Sequence, residues 1–386
     1  MALPLRYNIR SVLVRWRSTL STIVGVALVV AVYVLVQSLA AGIEKSASNT
    51  GDERNWLVVR KGATSESSSI VSREQFKILE YLPEVAKGEQ GNRLISADTL
   101  LLISLPRRNG SGNANVLVRG VTKAGLELRT QLKLTSGRWF IPGRREVVVP
   151  SRLAARFADL DIGSTFKTGG NALTVVGWTD GGRSAFDSEI WMDADEARSL
   201  FDRESYSSVV LRTDAGMEGS LTNRIETDKR LNLQVVRETA YYAEQTMTSK
   251  PISIIGKYLA IAMSIGAMFA AMNTMYASVG ARTREVGTLR VLGFRRRSIL
   301  FGFILEGAVL SLMGGVLGVL LSLPMNHYST GTFNFQSFSE VVFEFQITPA
   351  LMVRGLLFSV IVGVVGSLLP AIRAARLPVI ASLKSL

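Results

Sequence analysis

Cysteine is absent from the 386-residue sequence, and histidine occurs only once. A chain without cysteine has no disulfide framework and no thiolate metal site. The single histidine, His327, lies in a polar stretch and is interpreted as a loop residue in preference to a ligand or a catalytic base. The sequence therefore predicts no metal site and no catalytic residue in this chain.

A phosphate-binding loop is also missing. No Gly-x-x-x-x-Gly-Lys-(Ser/Thr) sequence occurs anywhere, so the chain is not expected to hydrolyse ATP itself. The glycine-rich turns that do occur, at residues 169–171 and 180–182, lack the lysine that such a loop uses to contact phosphates. We expect a protein that is not an enzyme on its own.

Charged residues are missing from four long stretches, residues 18–43, 258–281, 307–339 and 355–372. A helix of about 20 apolar residues crosses a hydrocarbon core of ~30 Å. The third stretch exceeds this length and becomes polar from Asn326, so its second half is expected outside the bilayer. The pattern predicts an α-helical membrane protein with four transmembrane helices, at residues 18–43, 251–281, 298–323 and 350–372.

Basic residues are concentrated in three segments that four spans place on one side of the membrane. Four arginines precede residue 18, six lie in residues 282–297 beside a single acid, and three basic residues follow residue 372. These segments carry nearly all of the net charge of +13, and the positive-inside rule makes their side cytoplasmic. The charge is thus an orientation signal and predicts no nucleic-acid partner.

This topology places both termini in the cytoplasm. The chain is expected to be a multi-pass protein of the inner (cell) membrane. Residues 1–17 are expected to form an interfacial helix in contact with membrane lipid, and residues 373–386 a cytoplasmic tail. Residues 324–349, which contain two glutamates and no lysine or arginine, are expected to form a short external loop.

Residues 44–250, between the first and second spans, have a soluble composition with nearly equal numbers of acidic and basic residues. Strand and helix patterns recur near both ends of this segment, and Ser72 with Gln75 forms a capping-box sequence at the first helix. Short β-rich pieces with glycine-rich turns fill residues 92–206. The sequence predicts a large α+β external domain of two strand–helix–strand units with a β-rich insert.

Polar and small residues inside the spans are candidates for helix packing. Glu306 lies about two turns into the third span, where an ionisable group is expensive and usually faces protein or water. We expect it to pair with an arginine near the cytoplasmic interface; a substrate or proton site is the alternative. Small residues allow close approach of helices. The full set of candidates is Asn273, Glu306, Gly314, Gly315 and Gly318.

The segment between the second and third spans reads Arg-Thr-Arg-Glu-Val-Gly-Thr-Leu-Arg-Val-Leu-Gly over residues 282–293. Val286, Leu289 and Leu292 recur at every third position and predict a narrow apolar stripe on a short helix. Gly293 follows where a helix end favours a residue with positive φ. We interpret residues 282–297 as an amphipathic helix at the membrane surface; the alternative is a basic loop that only sets topology.

This segment resembles the signature of the FtsX/MacB-type (type VII) permease family of ABC transporters, in which a similar Arg-x-Arg-Glu-(Ile/Val)-Gly-x-Leu-Arg-x-Leu-Gly run follows an Asn-Thr-Met turn. Asn273, Thr274 and Met275 stand at that upstream place. The run from Pro370 to Leu383 matches the family's usual ending. The motif-level resemblance covers residues 258–386, and the external segment is similar more loosely.

The resemblance implies the membrane subunit of an ABC system, with ATP and Mg bound by a separate cytosolic ATPase. It implies that this ATPase docks on the short cytoplasmic helix, a coupling helix, and that the permease works as a homodimer or heterodimer. The coupling residues that it implies are Arg282, Arg284, Glu285, Val286, Gly287, Leu289, Arg290, Leu292 and Gly293.

Two functions follow from the resemblance. The first is export or extraction of a substrate by mechanotransmission, in which the ATPase moves the external domain, with a periplasmic adaptor protein as a further candidate partner. The alternative is an FtsX-like signal transducer that activates an extracytoplasmic cell-wall hydrolase. FtsX-like chains usually have a smaller external domain, so the sequence favours export or extraction.

Overall fold

The computed structural model describes residues 16–245, 249–326, 328–334 and 338–377. The predicted interfacial helix up to residue 15, His327 and residues 378–386 of the predicted tail lie outside these ranges. The chain divides into two compact units. We call them the helical unit (Met1–Ala41, Pro251–Tyr328 and Phe345–Leu386) and the α+β unit (Gly42–Lys250 and Ser329–Glu344).

Eleven α-helices occur in the described ranges. In chain order they are α1 (Trp16–Ser48), α2 (Arg73–Glu80), α3 (Lys123–Leu128), α4 (Ser151–Ala154), α5 (Ala194–Leu200), α6 (Glu218–Thr227), α7 (Glu238–Gln245), α8 (Ser249–Ala281), α9 (Thr283–Val291), α10 (Arg296–Ser322) and α11 (Pro349–Arg376). Short 3-10 turns lie at Glu66–Ser68, Ala185–Ser188 and Leu323–Met325.

Four of these helices, α1, α8, α10 and α11, are long and apolar enough to cross a membrane, with mean hydropathies of 2.5, 1.7, 2.1 and 2.3. The predicted number of membrane helices is therefore confirmed. The first helix continues to Ser48, five residues beyond the predicted end of the span at residue 43. Pro251 lies in the first turn of α8, where its missing N–H leaves no helical hydrogen bond unmade.

Twelve strands lie in the described ranges, and all belong to the α+β unit. They are β1 (Asn55–Arg60), β2 (Ile95–Pro106), β3 (Asn113–Val121), β4 (Lys133–Gly137), β5 (Glu146–Pro150), β6 (Thr165–Thr168), β7 (Asn171–Asp180), β8 (Glu189–Asp193), β9 (Ser208–Arg212), β10 (Leu233–Arg237), β11 (Ser329–Asn334) and β12 (Ser339–Glu344). The first ten form one sheet in the order β10-β1-β9-β2-β3-β8-β5-β7-β4, with β6 paired to β7.

The sheet joins the two predicted strand–helix–strand units to the β-rich segment between them. The units are β1–α2–β2 and β9–α6–β10, and their strands interleave at one end of the sheet. The long strand β2 pairs with β9 from Ile95 to Asp98 and with β3 from Thr99 to Pro106. The predicted α+β domain is thus confirmed, and residues 92–206 continue the sheet of the two units through β2.

The interior of the α+β unit consists of apolar strand residues covered by short helices. Around Phe157 and Leu153 the sheet contributes the buried residues Val118, Val147 and Val175. Both faces of the sheet are covered here, since β5 is buried along its whole length and successive side chains of a strand point to opposite faces. The capping box is formed as predicted, with the Gln75 N–H donating to Ser72 Oγ at 3.1 Å.

A hairpin of β11 and β12 stands where the sequence predicted only a short external loop within residues 324–349. Its strands pair antiparallel from Ser329 opposite Glu344 to Asn334 opposite Ser339. In the chain the hairpin lies between α10 and α11, but it packs within the α+β unit, where Val342 is buried in the core around Phe157.

Candidate functional site

The predicted coupling helix is α9, which follows α8 after a single intervening residue. Arg282 occupies the N-cap position, and its N–H donates to the Val279 carbonyl oxygen at 3.1 Å. Thr283 Oγ1 donates to the Gly280 carbonyl oxygen at 2.8 Å, so a hydroxyl partner satisfies a carbonyl at the end of α8. The turn between the two helices is therefore fixed by hydrogen bonds.

An ion pair joins the start of α9 to the third membrane helix. Arg282 Nη1 donates to Glu306 Oε2 of α10 at 3.0 Å, and both side chains are about 5% exposed. The pairing of Glu306 with an arginine agrees with the expectation from the sequence. A charge in so apolar a place is tolerated because an opposite charge and a hydrogen bond accompany it.

Val286 faces inward, although the sequence placed it on the face that a partner would contact. It is 2% exposed and packs with Met275 and Val279 of α8, Phe303 of α10 and Ala374 of α11. Gly287 beside it is buried as well. Val286 therefore belongs to the interior of the helical unit and not to an exposed docking face, which corrects the prediction.

The outer face of α9 carries Arg284, Glu285, Thr288, Val291 and Leu292. Val291 is 60% exposed and Leu292 is 68% exposed, whereas Leu289 and Arg290 are half-buried. Two adjacent exposed aliphatic side chains among charged neighbours form an apolar spot on a polar surface. These two residues are the apolar part of the outer face that a partner protein could contact.

The C-terminus of α9 ends in the geometry that the sequence predicted from Gly293. The glycine has φ +93°, its N–H donates to the Arg290 carbonyl at 3.2 Å, and the Phe294 N–H donates to the Leu289 carbonyl at 3.1 Å. These two bonds form a Schellman motif, which holds the end of the helix in one conformation. The exposed pair, Val291 and Leu292, lies directly before this rigid turn.

The small residues of α10 lie at close contacts with α1 and α11. A Cβ at Gly314 would lie 2.8 Å from the Ile23 carbonyl oxygen of α1, and one at Gly318 would lie 2.5 Å from that of Ala27. Gly315 faces α11, where a Cβ would lie 2.7 Å from that of Ser359. Asn273 of α8 is exposed in the single chain, and its role remains a prediction.

A buried ionic cluster in the α+β unit was not anticipated from the sequence. Arg119, 1% exposed, donates to Glu189 at 2.5 Å and to Glu66 at 2.7 Å, and Arg129 pairs with Asp98. Burial acts to lower the pKa of Arg119, but Glu189 and Glu66 hold that pKa well above its usual value. The arginine is therefore charged at any physiological pH.

The cluster also fixes α7, the helix that follows the last strand of the large sheet. Tyr242 Oη accepts a hydrogen bond from Arg119 at 3.1 Å, and Glu238 accepts from the Asn55 side chain at 2.8 Å. Burial raises the pKa of Glu238, although Arg129 nearby acts to lower it. Such long-range pairs have no sequence signature, because their members are separated by more than a hundred residues.

Two family models match the chain. The FtsX-like permease C-terminal model matches residues 258–379, and the MacB-like periplasmic core domain model matches residues 18–226. The second match covers more than half of the chain. Together the two models include α10 and α11, most of α1 and α8, and most of the α+β unit.

Relatives with similar sequences are ABC transporter proteins. The uncharacterized ABC transporter permease YknZ of Bacillus subtilis (strain 168) is 25% identical over 399 residues, covering 98% of this chain and 96% of that protein. The macrolide export ATP-binding/permease protein MacB of Pasteurella multocida (strain Pm70) is 25% identical over 385 residues, covering 94% of this chain. The chain spans only 57% of the length of that MacB.

Two solved structures align with the α+β part. The extracellular domain of the noncanonic ABC-type transporter YknZ from Gram-positive bacteria aligns with a TM-score of 0.37 and 16% identity, over 47% of this chain and 99% of that one. The periplasmic region of MacB from Actinobacillus actinomycetemcomitans aligns with a TM-score of 0.38 and 13% identity, over 51% of this chain and 94% of that one.

Proposed function

This chain belongs to the FtsX/MacB-type family of ABC transporter permeases, and we propose that it couples ATP hydrolysis in a separate cytosolic subunit to movement of its α+β unit. The chain is a permease subunit of an ABC transporter. Since its sequence has no phosphate-binding loop, ATP and Mg are bound by the partner ATPase. The movement serves export or extraction of a substrate by mechanotransmission.

The observation that carries this proposal is the two-sided environment of α9. Its inner side is fixed to the helical unit through Arg282 and Val286, while Val291 and Leu292 on the outer side are exposed. An ATPase that contacts the outer side would therefore push on a helix that cannot shift without moving α10 and α11. A helix that only set topology would need no buried ion pair at its N-terminus.

The charge distribution supports the orientation that this mechanism needs. Six arginines lie in residues 282–297, on the side that the positive-inside rule makes cytoplasmic, where an ATPase has access. The α+β unit then faces the periplasm or the cell exterior, and both termini face the cytoplasm of an inner-membrane protein. We propose a dimer of permease subunits, with a periplasmic adaptor as a further partner.

Export is favoured over signalling by the α+β unit and by the relatives. The unit contains a ten-stranded sheet and about 200 residues between the first two membrane helices. Several similar proteins are named macrolide export proteins. We propose that this chain likewise acts on a substrate on the outer side of the membrane.

The test of this proposal is a substitution on the outer face of α9. Burying one aliphatic side chain contributes about 1.5–3 kcal/mol, so Leu292→Asp should weaken ATPase binding roughly 10- to 100-fold at about 1.4 kcal/mol per tenfold. The measurements are co-purification of the ATPase and its stimulated activity with the permease in nanodiscs.

The matched control is Leu292→Met, which keeps the apolar surface and should bind the ATPase as the wild type does. Both variants should insert normally, because the membrane helices are unchanged. If Leu292→Asp inserts, retains its ATPase and still stimulates it, α9 is not the docking site.

A further inference from the structure

The hairpin β11–β12 is held in the α+β unit by more than its own strand pairing. Val342 is 2% exposed, and its backbone N–H donates to Ser188 Oγ at 2.8 Å. Asn115 Nδ2 donates to the Phe338 carbonyl oxygen at 3.2 Å. The hairpin thus contributes to the core of the α+β unit, most of which comes from residues 42–250 of the sequence.

Two glutamates of the hairpin each meet two arginines of the α+β unit. Glu340, whose side chain is 4% exposed, pairs with Arg107 and with Arg156, whose Nε lies 3.1 Å from Glu340 Oε1. Glu344 accepts from Arg152 Nε at 2.8 Å and lies 3.2 Å from Arg183 Nε. Charge-assisted bonds to nearly buried carboxylates are strong and directional.

Two glycines show how closely the hairpin is fitted. A Cβ at Gly331 would collide with the Glu340 carboxylate and the Arg156 guanidinium, and one at Gly42 would collide with the Glu344 carbonyl oxygen. The pair of Glu340 and Arg156 therefore occupies a space that only a glycine at position 331 leaves open, unlike exposed surface pairs, whose contribution is small.

Each strand of the hairpin is connected through the chain to a membrane helix, β11 to α10 and β12 to α11, and these two helices pack closely together. Gly307 of α10 faces Ser367 of α11, Ser311 faces Gly363, and Gly315 faces Ser359, so small residues interlock at three successive turns. Six residues, 323–328, join α10 to β11, and four residues, 345–348, join β12 to α11.

These two connecting segments are hydrogen-bonded to each other. The Phe345 N–H donates to the Tyr328 carbonyl at 3.2 Å, and the Ile347 N–H donates to Asn326 Oδ1 at 3.0 Å. The hairpin is therefore joined to α10 and α11 by two short segments that are bonded to each other, while Glu340 and Glu344 bond it to arginines of the α+β unit.

We propose that the hairpin is a tie that transmits movement of α10 and α11 to the α+β unit, with Glu340 and Glu344 as its positioning residues. This inference rests on the proposed function, because movement of α10 and α11 is there ascribed to the ATPase. A hairpin that only stabilised the unit would contribute the same ion pairs but would not need a short link to the helices.

The experiment separates transmission of movement from stabilisation of the α+β unit by lengthening the two segments that connect the hairpin to α10 and α11. Flexible Gly/Ser linkers of about six residues, each spanning roughly 13 Å as a random coil, are inserted after Asn326 and after Phe345. The insertions leave Glu340, Glu344 and their arginines unchanged. The readout is the ATP-dependent change in distance between spin labels at Ser111→Cys and Phe269→Cys, measured on the full chain with its ATPase in nanodiscs.

We call the chain with both inserted linkers the slack variant. We expect it to bind and stimulate the ATPase as the wild type does but to lose the ATP-dependent distance change. The double variant Glu340→Gln, Glu344→Gln should lose it as well. The matched controls are the same linker inserted after Gly143, in the exposed loop between β4 and β5 and away from the label, and Asp161→Asn, which removes the exposed pair with Arg108. Both controls should keep the wild-type change.

A full distance change in the slack variant would overturn the role of the hairpin while leaving the proposed function in place. Absence of any ATP-dependent change in the wild type would overturn the proposed function, and the role of the hairpin with it. If the double variant Glu340→Gln, Glu344→Gln fails to fold, the slack variant alone tests the role of the hairpin, because it changes no residue of the α+β core.

Discussion

The buried pair of Arg282 and Glu306 offers a sharp test of the proposed coupling through α9. Replacing Glu306 by leucine, or Arg282 by methionine, leaves the partner charge in a site where both side chains are about 5% exposed. Breaking a buried ion pair from one side costs about 3–5 kcal/mol. At about 1.4 kcal/mol per tenfold, either single variant should disfavour packing of α9 against the helical unit by roughly two to three and a half orders of magnitude in the equilibrium constant.

The double variant Arg282→Met, Glu306→Leu should behave differently from either single variant. It removes both charges and leaves apolar side chains one helical turn from Val286 and Phe303, which belong to a buried apolar cluster. Such replacements are often neutral or stabilising. We therefore expect each single variant to weaken ATPase binding and the double variant to recover most of the loss. Two residues that act as a unit give non-additive effects of this kind.

The assay is the affinity of the ATPase for each permease variant in nanodiscs, with thermal unfolding of the same samples as a check on folding. Five arginines remain in residues 282–297 after Arg282→Met, so the orientation of the chain should not change. Losses that simply add in the double variant would refute the argument, because Arg282 and Glu306 would then act independently.

Two further predictions concern orientation and pH. Cysteines introduced singly at Ser111 and Ser220 should react with an impermeant thiol reagent in intact cells, and one at Ser385 only after lysis; labelling of Ser385 in intact cells would contradict the four-span orientation. Burial raises the pKa of Glu238 above its ordinary 4.5, so the folded state favours the protonated form, and the stability of the wild type relative to Glu238→Gln should fall as the pH rises from about 4.5 through that raised pKa. Urea unfolding followed by tryptophan fluorescence tests this, and an unchanged difference over that range would show that Glu238 has no shifted pKa.

Local signals in the sequence predicted much of the α+β unit. Strands β9 and β10 begin and end where their apolar patterns do, and the Ser72 capping box and the positive φ of Gly293 are both present. These features depend on residues within a few positions of one another, which a single sequence displays directly.

The orientation of α9 could not be predicted in the same way. A helix advances about 100° per residue, so residues six apart, such as Val286 and Leu292, lie roughly 120° from each other around the axis. A stripe at every third position therefore winds around the helix, and one end of it faces the bundle while the other is exposed. Only the packing of α8, α10 and α11 decides which end is buried.

The hairpin was missed because its partners are distant in the sequence. Glu340 is separated from Arg107 by 233 residues and from Arg156 by 184, and no periodicity or turn motif links them. Phe338 has φ +55°, a conformation uncommon for a residue with a side chain, so the turn of the hairpin also lacked its usual glycine signal.

The central claim is that ATP hydrolysis by a partner moves the α+β unit of this permease. The most direct measurement is the distance between spin labels at Ser111→Cys and Phe269→Cys in the wild-type background, compared between nucleotide-free and ATP-bound complexes in nanodiscs. The account predicts a shift of the distance distribution that requires both ATP and the ATPase. An identical distribution in both states, in a complex that hydrolyses ATP, would contradict it.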